Sequence, residues 1–300
     1  MSMPAPNLNG LPPLDALLEG FADAPPVEVS DLTIDSREVS EGTVFLAVKG
    51  LAVHGVDFAE DAIERGAAAL VYDLETATAP VVDAAIPVIG VAGLAGSLGE
   101  IAGRFFGRPS ADLAVFGVTG TNGKSTVAWI LAQALTSLGE RSAYSGTLGQ
   151  GIDRFPIGEA MTSPDVIELN RRLAAFRAAG ASAAAIEVSS HALDQGRVDG
   201  IGFEATLLTN LSRDHLDYHG SMQAYAAAKQ KLFVEHSARH CIINVDSDFG
   251  ASLALKLGDA AITVSLASSL ASMPRRASLE AVAVAEGALG SRVNIRSVFG

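Results

Sequence analysis

The sequence predicts an α/β fold in two parts, a small N-terminal α/β domain over residues 1–94 and a larger central domain over residues 95–300 built on a mostly parallel sheet. Three observations predict it. From residue 111 onward, apolar strand-like runs alternate regularly with amphipathic segments, the pattern of a parallel sheet covered on both faces. A glycine-rich loop at residues 117–126 lies directly between an apolar run, 113–118, and a helix-forming stretch. Upstream, residues 27–87 have a different texture, with short strand-like runs around a single helix.

Residues 1–20 are rich in Pro, Asn and Gly and predict a partly ordered lead-in. Strands follow at 43–48, 68–72 and 86–91, with a helix at 57–66, and the domain boundary is expected in the glycine-rich stretch 91–99. In the second part, strand 113–118 leads into helix 125–138 and strand 142–144. Helix 165–179 is marked by Val166, Leu169, Leu173 and Phe176 at i, i+3, i+7 and i+10. Strands 183–188 and 203–209, helix 222–233, strand 241–245 and strand-like segments at 262–266, 279–284 and 293–298 complete the chain.

At 300 residues and 49% hydrophobic content, the chain can bury a substantial core. Its mean hydropathy is positive because Ala and Val are dispersed along it, and no run reaches the roughly 18 apolar residues of a membrane span. Residues 1–14 have no basic residue ahead of an apolar stretch, so a cytoplasmic protein without membrane insertion is expected. Cys241 is the only cysteine, which excludes an intrachain disulfide and suits a reducing compartment. A net charge of −13 excludes a general nucleic-acid or anionic-membrane binder.

The loop Gly117-Val118-Thr119-Gly120-Thr121-Asn122-Gly123-Lys124-Ser125-Thr126 has the chemistry of a triphosphate cradle. Its glycines let successive N–H groups turn toward one anion, and the helix that follows offers its positive end. Lys124 reaches terminal phosphates, and the Ser125 hydroxyl suits Mg²⁺. Glycines at 117, 120 and 123, with Val118 where the general motif has glycine, make it a variant spacing. Such a loop after the first strand of a parallel sheet predicts a P-loop ATPase-like domain.

Ligands of open α/β sheets bind beyond the carboxyl ends of the strands, so polar residues there are the candidates. Thr162-Ser163-Pro164-Asp165 fits either a helix cap or a ligand contact. Glu187 emerges from an apolar strand ahead of Ser189, Ser190, His191, Gln195 and Arg197. A buried carboxylate must be paired, so it is either a Mg²⁺ ligand or a turn cap. Residues 209–220 gather His215, His219, Asp214, Asp217 and Arg213, a density suited to metal and phosphate contacts or to a solvated loop. In helix 222–233, Lys229 shares a face with Tyr225, Ala226, Leu232 and Phe233. It either snorkels to water or is desolvated, with a lowered pKa and able to react with CO₂.

Together these runs, with Glu187-Val188-Ser189-Ser190-His191, Asp214-His215-Leu216-Asp217-Tyr218-His219-Gly220 and residues 35–50, resemble the Mur ligases, most closely the branch that adds a diamino acid. The resemblance implies ATP-dependent amide-bond synthesis in peptidoglycan assembly. A D-glutamyl carboxylate of UDP-MurNAc-L-Ala-D-Glu is phosphorylated and then attacked by a diamino acid, with diaminopimelate expected over lysine. It also implies that Gly120, Thr121, Asn122, Gly123, Lys124, Ser125 and Thr126 hold ATP. Ser125 and Glu187 would serve one Mg²⁺, and His215 and a CO₂-derived carbamate on Lys229 a second. Thr162, Ser163, Ser189, Gln195 and Arg197 match substrate contacts, and Ile34, Ser36, Leu51, Ala52 and Val53 would border the uridine in a UDP-binding N-terminal domain. Met161, Ser163 and His54 depart from the family pattern.

Complete family members carry a third domain for the incoming amino acid, which this chain is expected to lack, leaving an incomplete, monomeric enzyme. The alternatives are a MurF-type or folylpolyglutamate-type ligase, or a non-catalytic nucleotide-binding fragment.

Overall fold

The computed structural model describes residues 10–83, 85–153, 162–266, 277–287 and 290–299. In chain order, α1 (Leu14–Leu17) precedes β1 (Asp31–Thr33), β2 (Thr43–Ala47), α2 (Ala59–Glu64), β3 (Ala69–Asp73), β4 (Val88–Val91) and α3 (Leu94–Phe105). Then come β5 (Ala114–Thr119), α4 (Lys124–Ser137), β6 (Ser142–Gly146), β7 (Gly149–Ile152), α5 (Val166–Ala178), β8 (Ala183–Glu187) and α6 (Ser190–Asp194). The chain continues through β9 (Phe203–Leu208), α7 (Leu216–His219), α8 (Met222–Val234), β10 (Ala238–Asn244), α9 (Asp248–Leu257), β11 (Ala261–Leu266), β12 (Leu279–Gly287) and β13 (Gly290–Ser297). None of the described helices is long and apolar enough to cross a membrane.

Contacts divide the chain into two compact units. The first holds the described residues up to Asp112 together with Asp165–Gly180 and Gly196–Ile201. Its sheet runs β1-β2-β3-β4, all parallel. Every residue of β2 and β3 is buried, because a parallel sheet covered on both faces calls for a continuous apolar run rather than alternation. One face packs Leu32, Val44, Leu46 and Val71 against Ile101 and Phe105 of α3 and Val166 and Ile167 of α5. The other packs Phe45, Ala47, Leu70 and Tyr72 against Ala59 and Ala62 of α2.

The stretch 91–99, expected to be a domain boundary, instead runs into α3, whose Leu94, Leu98, Ile101 and Phe105 are buried. The glycine signal there has a packing cause. A Cβ on Gly99 would overlap the Asp199 carbonyl, so Gly99 permits a close backbone approach within the helix. Helix α5 begins at Asp165, whose side chain accepts from the Ile167 and Glu168 amides at 2.9 and 3.0 Å, an N-cap. The capping alternative for residues 162–165 therefore holds for Asp165.

The second unit holds the described residues of 113–164, Ala181–Gln195 and the described residues from Gly202 on. Its sheet order is β13-β12-β11-β10-β9-β5-β8-β6-β7. Strands β6, β8, β5, β9, β10, β11 and β12 are parallel, and β7 and β13 pair antiparallel at the two edges. The connection from β8 to β9 crosses β5, so the order reverses around β5 and its carboxyl end becomes a switch point where ligands bind.

Candidate functional site

The site is built at the carboxyl ends of β5, β8 and β9, three adjacent parallel strands. After β5 the chain turns through the glycine loop into α4. Gly123 has φ +82°, left-handed backbone that favours glycine, and at Gly120 a Cβ would overlap Thr209 Oγ1. The first-turn amides of α4 lack intrahelical acceptors, as in any helix, and face the position where an anion is stabilised.

The segment after β9 stitches this loop in place. Thr209 Oγ1 donates to the Asn122 carbonyl at 2.7 Å, and the Asn210 side-chain amide does so at 2.9 Å while its Oδ1 accepts from the Asn122 N–H at 3.0 Å. Thr121 donates its N–H to the Asn210 carbonyl, its hydroxyl donates to the Ser212 carbonyl at 3.1 Å, and it accepts from the Ser212 N–H at 2.9 Å. Thr209, Asn210 and Ser212 thus act as a scaffold that fixes the cradle's shape.

Two lysines converge on the loop from beneath. Lys124 Nζ donates to the Gly120 and Thr121 carbonyls at 3.0 Å each, and Lys229 Nζ donates to the same Gly120 carbonyl at 2.8 Å. Lys229 is 1% exposed, on α8, with its ammonium 4.6 Å from the Tyr225 ring centre. Of the two expectations for it, the desolvated lysine is the one found. Burial, reinforced by the neighbouring Lys124 charge and only partly opposed by Asp214, pushes its pKa down from 10.5 to about 7. Burial lowers Lys124 as well, against the pull of Glu187 and Asp214. Lys231, two residues on, reaches Asp194 instead, at 3.5 Å.

Glu187 closes β8 and is 3% exposed. Its Oε2 accepts from Ser125 Oγ at 2.9 Å, which brings together the two oxygens expected to meet one Mg²⁺. Two residues that no motif singled out complete the arrangement. Tyr144 donates its hydroxyl to Oε1, and Thr147 donates its amide to Oε1 at 2.8 Å and its hydroxyl to Oε2 at 3.2 Å. Burial, then the Glu187 carboxylate, push the Tyr144 phenol well up, so it remains a donor. The donor set is hard oxygen, which suits Mg²⁺, and a buried carboxylate beside a phosphate cradle fits that ion.

His215 takes left-handed backbone, φ 50°, and lies 3.6 Å from Asp214. Its ring is 6.1 Å from that of Tyr225 and 5.0 Å from that of His191. Tyr225 therefore stands next to both His215 and Lys229. Among the described residues, no group of three or more His, Cys, Asp or Glu is arranged to hold a metal.

The other candidates in this unit fall in two places. The Thr162 hydroxyl lies 3.0 Å from the Thr147 hydroxyl oxygen. Ser163, 4% exposed, links the Glu187 carbonyl to the Ser189 amide, and Ser189 in turn caps α6. Gln195 donates to Tyr218 Oη at 3.0 Å. Met161 lies outside the described residues. In the first unit, Ser36 is buried and Ile34 packs on the core, while Leu51, Ala52 and Val53 form an exposed hairpin tip closed by Gly50 N–H to the Val53 carbonyl. His54 caps the turn that follows, its Nδ1 accepting from Val56 N–H. Arg197 is half-buried in the same unit.

Sequence profiles match in both units: the Mur ligase middle domain over residues 118–289, and the Mur ligase family catalytic domain over residues 28–105. A UDP-N-acetylmuramoyl-L-alanyl-D-glutamate--2,6-diaminopimelate ligase of Pseudomonas syringae pv. tomato is 51% identical over 227 residues, 75% of this chain and 46% of that protein. The enzyme of the same name from Pseudomonas aeruginosa is 51% identical over 245 residues, 81% of this chain and 50% of that protein. A solved structure of a ligase with that name superimposes with a TM-score of 0.78 at 28% identity, covering 97% of this chain and 58% of the other. The chain thus spans about half the length of the curated relatives it matches. With the middle-domain profile spanning more than half of its residues, the chain belongs to the Mur ligase family.

Proposed function

We propose that this chain carries the nucleotide- and substrate-loading part of an ATP-dependent ligase that joins 2,6-diaminopimelate to UDP-MurNAc-L-Ala-D-Glu, in the cytoplasm, as a monomer. The observation that carries the proposal is the pairing of Ser125 Oγ with Glu187 Oε2 beside a glycine loop reached by two lysines. In this scheme Gly120 to Thr126 hold the triphosphate, and Lys124 neutralises charge that builds on the transferring phosphoryl group. Mg²⁺ held by Ser125 and Glu187 would supply charge neutralisation at the phosphate oxygens. The substrate's side-chain carboxylate attacks the terminal phosphorus, ADP departs, and the amine then displaces phosphate from the acyl phosphate.

Lys229 sits where a cation is poorly tolerated, and a neutral amine is what CO₂ reacts with. The amine adds to CO₂ and releases a proton, leaving a carbamate anion in place of an ammonium. That anion would supply oxygen ligands to a second divalent ion, with His215 standing on the other side of Tyr225. Thr162, Ser163, Ser189, Gln195 and Arg197 would contact the sugar-dipeptide, and Ile34, Ser36 and residues 51–53 the uridine. The identities to named diaminopimelate ligases support this substrate over the alternatives.

Calorimetric titration tests the proposal. UDP-MurNAc-L-Ala-D-Glu is expected to bind the 300-residue chain at least tenfold more tightly than UDP-N-acetylglucosamine, a difference of about 1.4 kcal/mol. Equal binding of the two, or none, would refute the substrate assignment.

A further inference from the structure

Glu187 makes four accepted hydrogen bonds, and they are not equivalent. Oε2 takes two hydroxyls, Ser125 and Thr147, both on side chains that can rotate away. Oε1 takes the Thr147 amide, fixed by the backbone, and the Tyr144 hydroxyl. The Tyr144 ring is 1% exposed and packs among Val118, Ala128, Ala132 and Ala185. Trp129 meets it edge-on, with centroids 5.6 Å apart and planes at 83°. A ring locked in this way delivers its hydroxyl to one point. The end of β6 is shaped around the same oxygen, since a Cβ on Gly146 would overlap Glu187 Oε1.

We propose that Tyr144 is a positioning residue whose hydroxyl pins Glu187 Oε1, so that Oε2 stays beside Ser125 Oγ as the oxygen pair presented to a divalent cation. This rests on the nucleotide-binding role proposed above. Outer partners of a metal-binding carboxylate fix its orientation, and their removal typically weakens metal binding by about 10- to 100-fold. The Trp129–Tyr144 contact is the packing that makes the donor rigid.

The test measures affinity for a fluorescent ATP analogue with Mn²⁺ and again with EDTA. In the wild-type chain Mn²⁺ is expected to tighten binding, and Glu187→Gln to abolish that gain. If the wild type shows no gain, or Glu187→Gln keeps it, the parent nucleotide-site proposal fails. Tyr144→Phe keeps the ring and removes only the hydroxyl. It is expected to lose about tenfold of the Mn²⁺-dependent gain while its EDTA affinity matches the wild type. Emission from Trp129, the only tryptophan, reports on the fold around the ring. Gly146→Ala keeps the phenol but crowds both the Tyr144 hydroxyl and the Glu187 oxygen it meets, and it should give the same selective loss. A Mn²⁺ gain preserved in a folded Tyr144→Phe, or in Gly146→Ala should the first variant not fold, would overturn the positioning role.

Discussion

Lys229 provides a stability prediction whose size follows from its surroundings. The folded chain disfavours its ammonium, lowering the pKa from 10.5 to about 7, chiefly through burial and then through Lys124. Below about pH 7 both folded and unfolded chains carry the proton, and the full penalty of burying the charge applies. Between about pH 7 and 10.5 the unfolded chain holds a proton that the folded chain has shed, so stability rises with pH by up to about 1.4 kcal/mol per unit. Above that range neither state carries it, and the penalty is gone. Replacing Lys229 with Met keeps most of the volume and removes the titration.

Urea unfolding of both proteins in CO₂-free buffer measures the difference. Wild-type stability relative to Lys229→Met should increase by about 2–3 kcal/mol from about pH 7 to about pH 9. A difference that stays flat across this range would refute the claim that the site desolvates the ammonium. A difference that falls with pH would mean that the folded site favours the cation.

Three further outcomes follow from the geometry. Gly120→Ala, at φ +150° and against Thr209 Oγ1, should destabilise the second unit by about 1–3 kcal/mol and abolish nucleotide binding; unchanged melting would contradict the close approach. Arg171→Ala removes hydrogen bonds to Asp31 at 2.7 and 2.9 Å and to the Leu32 carbonyl at 3.1 Å, together with packing over the Phe106 ring. It should lower urea stability by about 1–3 kcal/mol, and a loss below about 0.5 kcal/mol would show the cluster to be solvent-screened. Incubation with ¹³C-bicarbonate should give a carbamate resonance in the wild type that is missing in Lys229→Met, and a resonance common to both would place the modification elsewhere.

Much of this was legible in the sequence because the signals were local. The glycine loop, the apolar stripe carrying Lys229 and the carboxylate at the end of an alanine-rich strand each depend on residues within one element. The elements that escaped carry weak local signals. Strand β1 has three residues and opens on Asp31, β7 begins Gly149-Gln150-Gly151, and α3 is interrupted by Gly96, Gly99 and Gly103, of which Gly99 admits the close approach of the Asp199 backbone. Tyr144 and Thr147 escaped for a different reason. They reach Glu187 only because β6 lies beside β8 with Ser145 opposite Ile186, a register set by tertiary pairing. Thr209 and Asn210 open the polar group 209–220 that the sequence singles out, but their bonds to the glycine loop arise from β9 lying next to β5 and carry no local signal.

The most direct test of the account is calorimetric titration of a non-hydrolysable Mg·ATP analogue into the wild-type chain, Lys124→Met and Glu187→Gln. Saturable one-to-one binding by the wild type, weakened at least tenfold in each variant, a difference of about 1.4 kcal/mol, is the predicted result. Binding of equal strength in all three would contradict it.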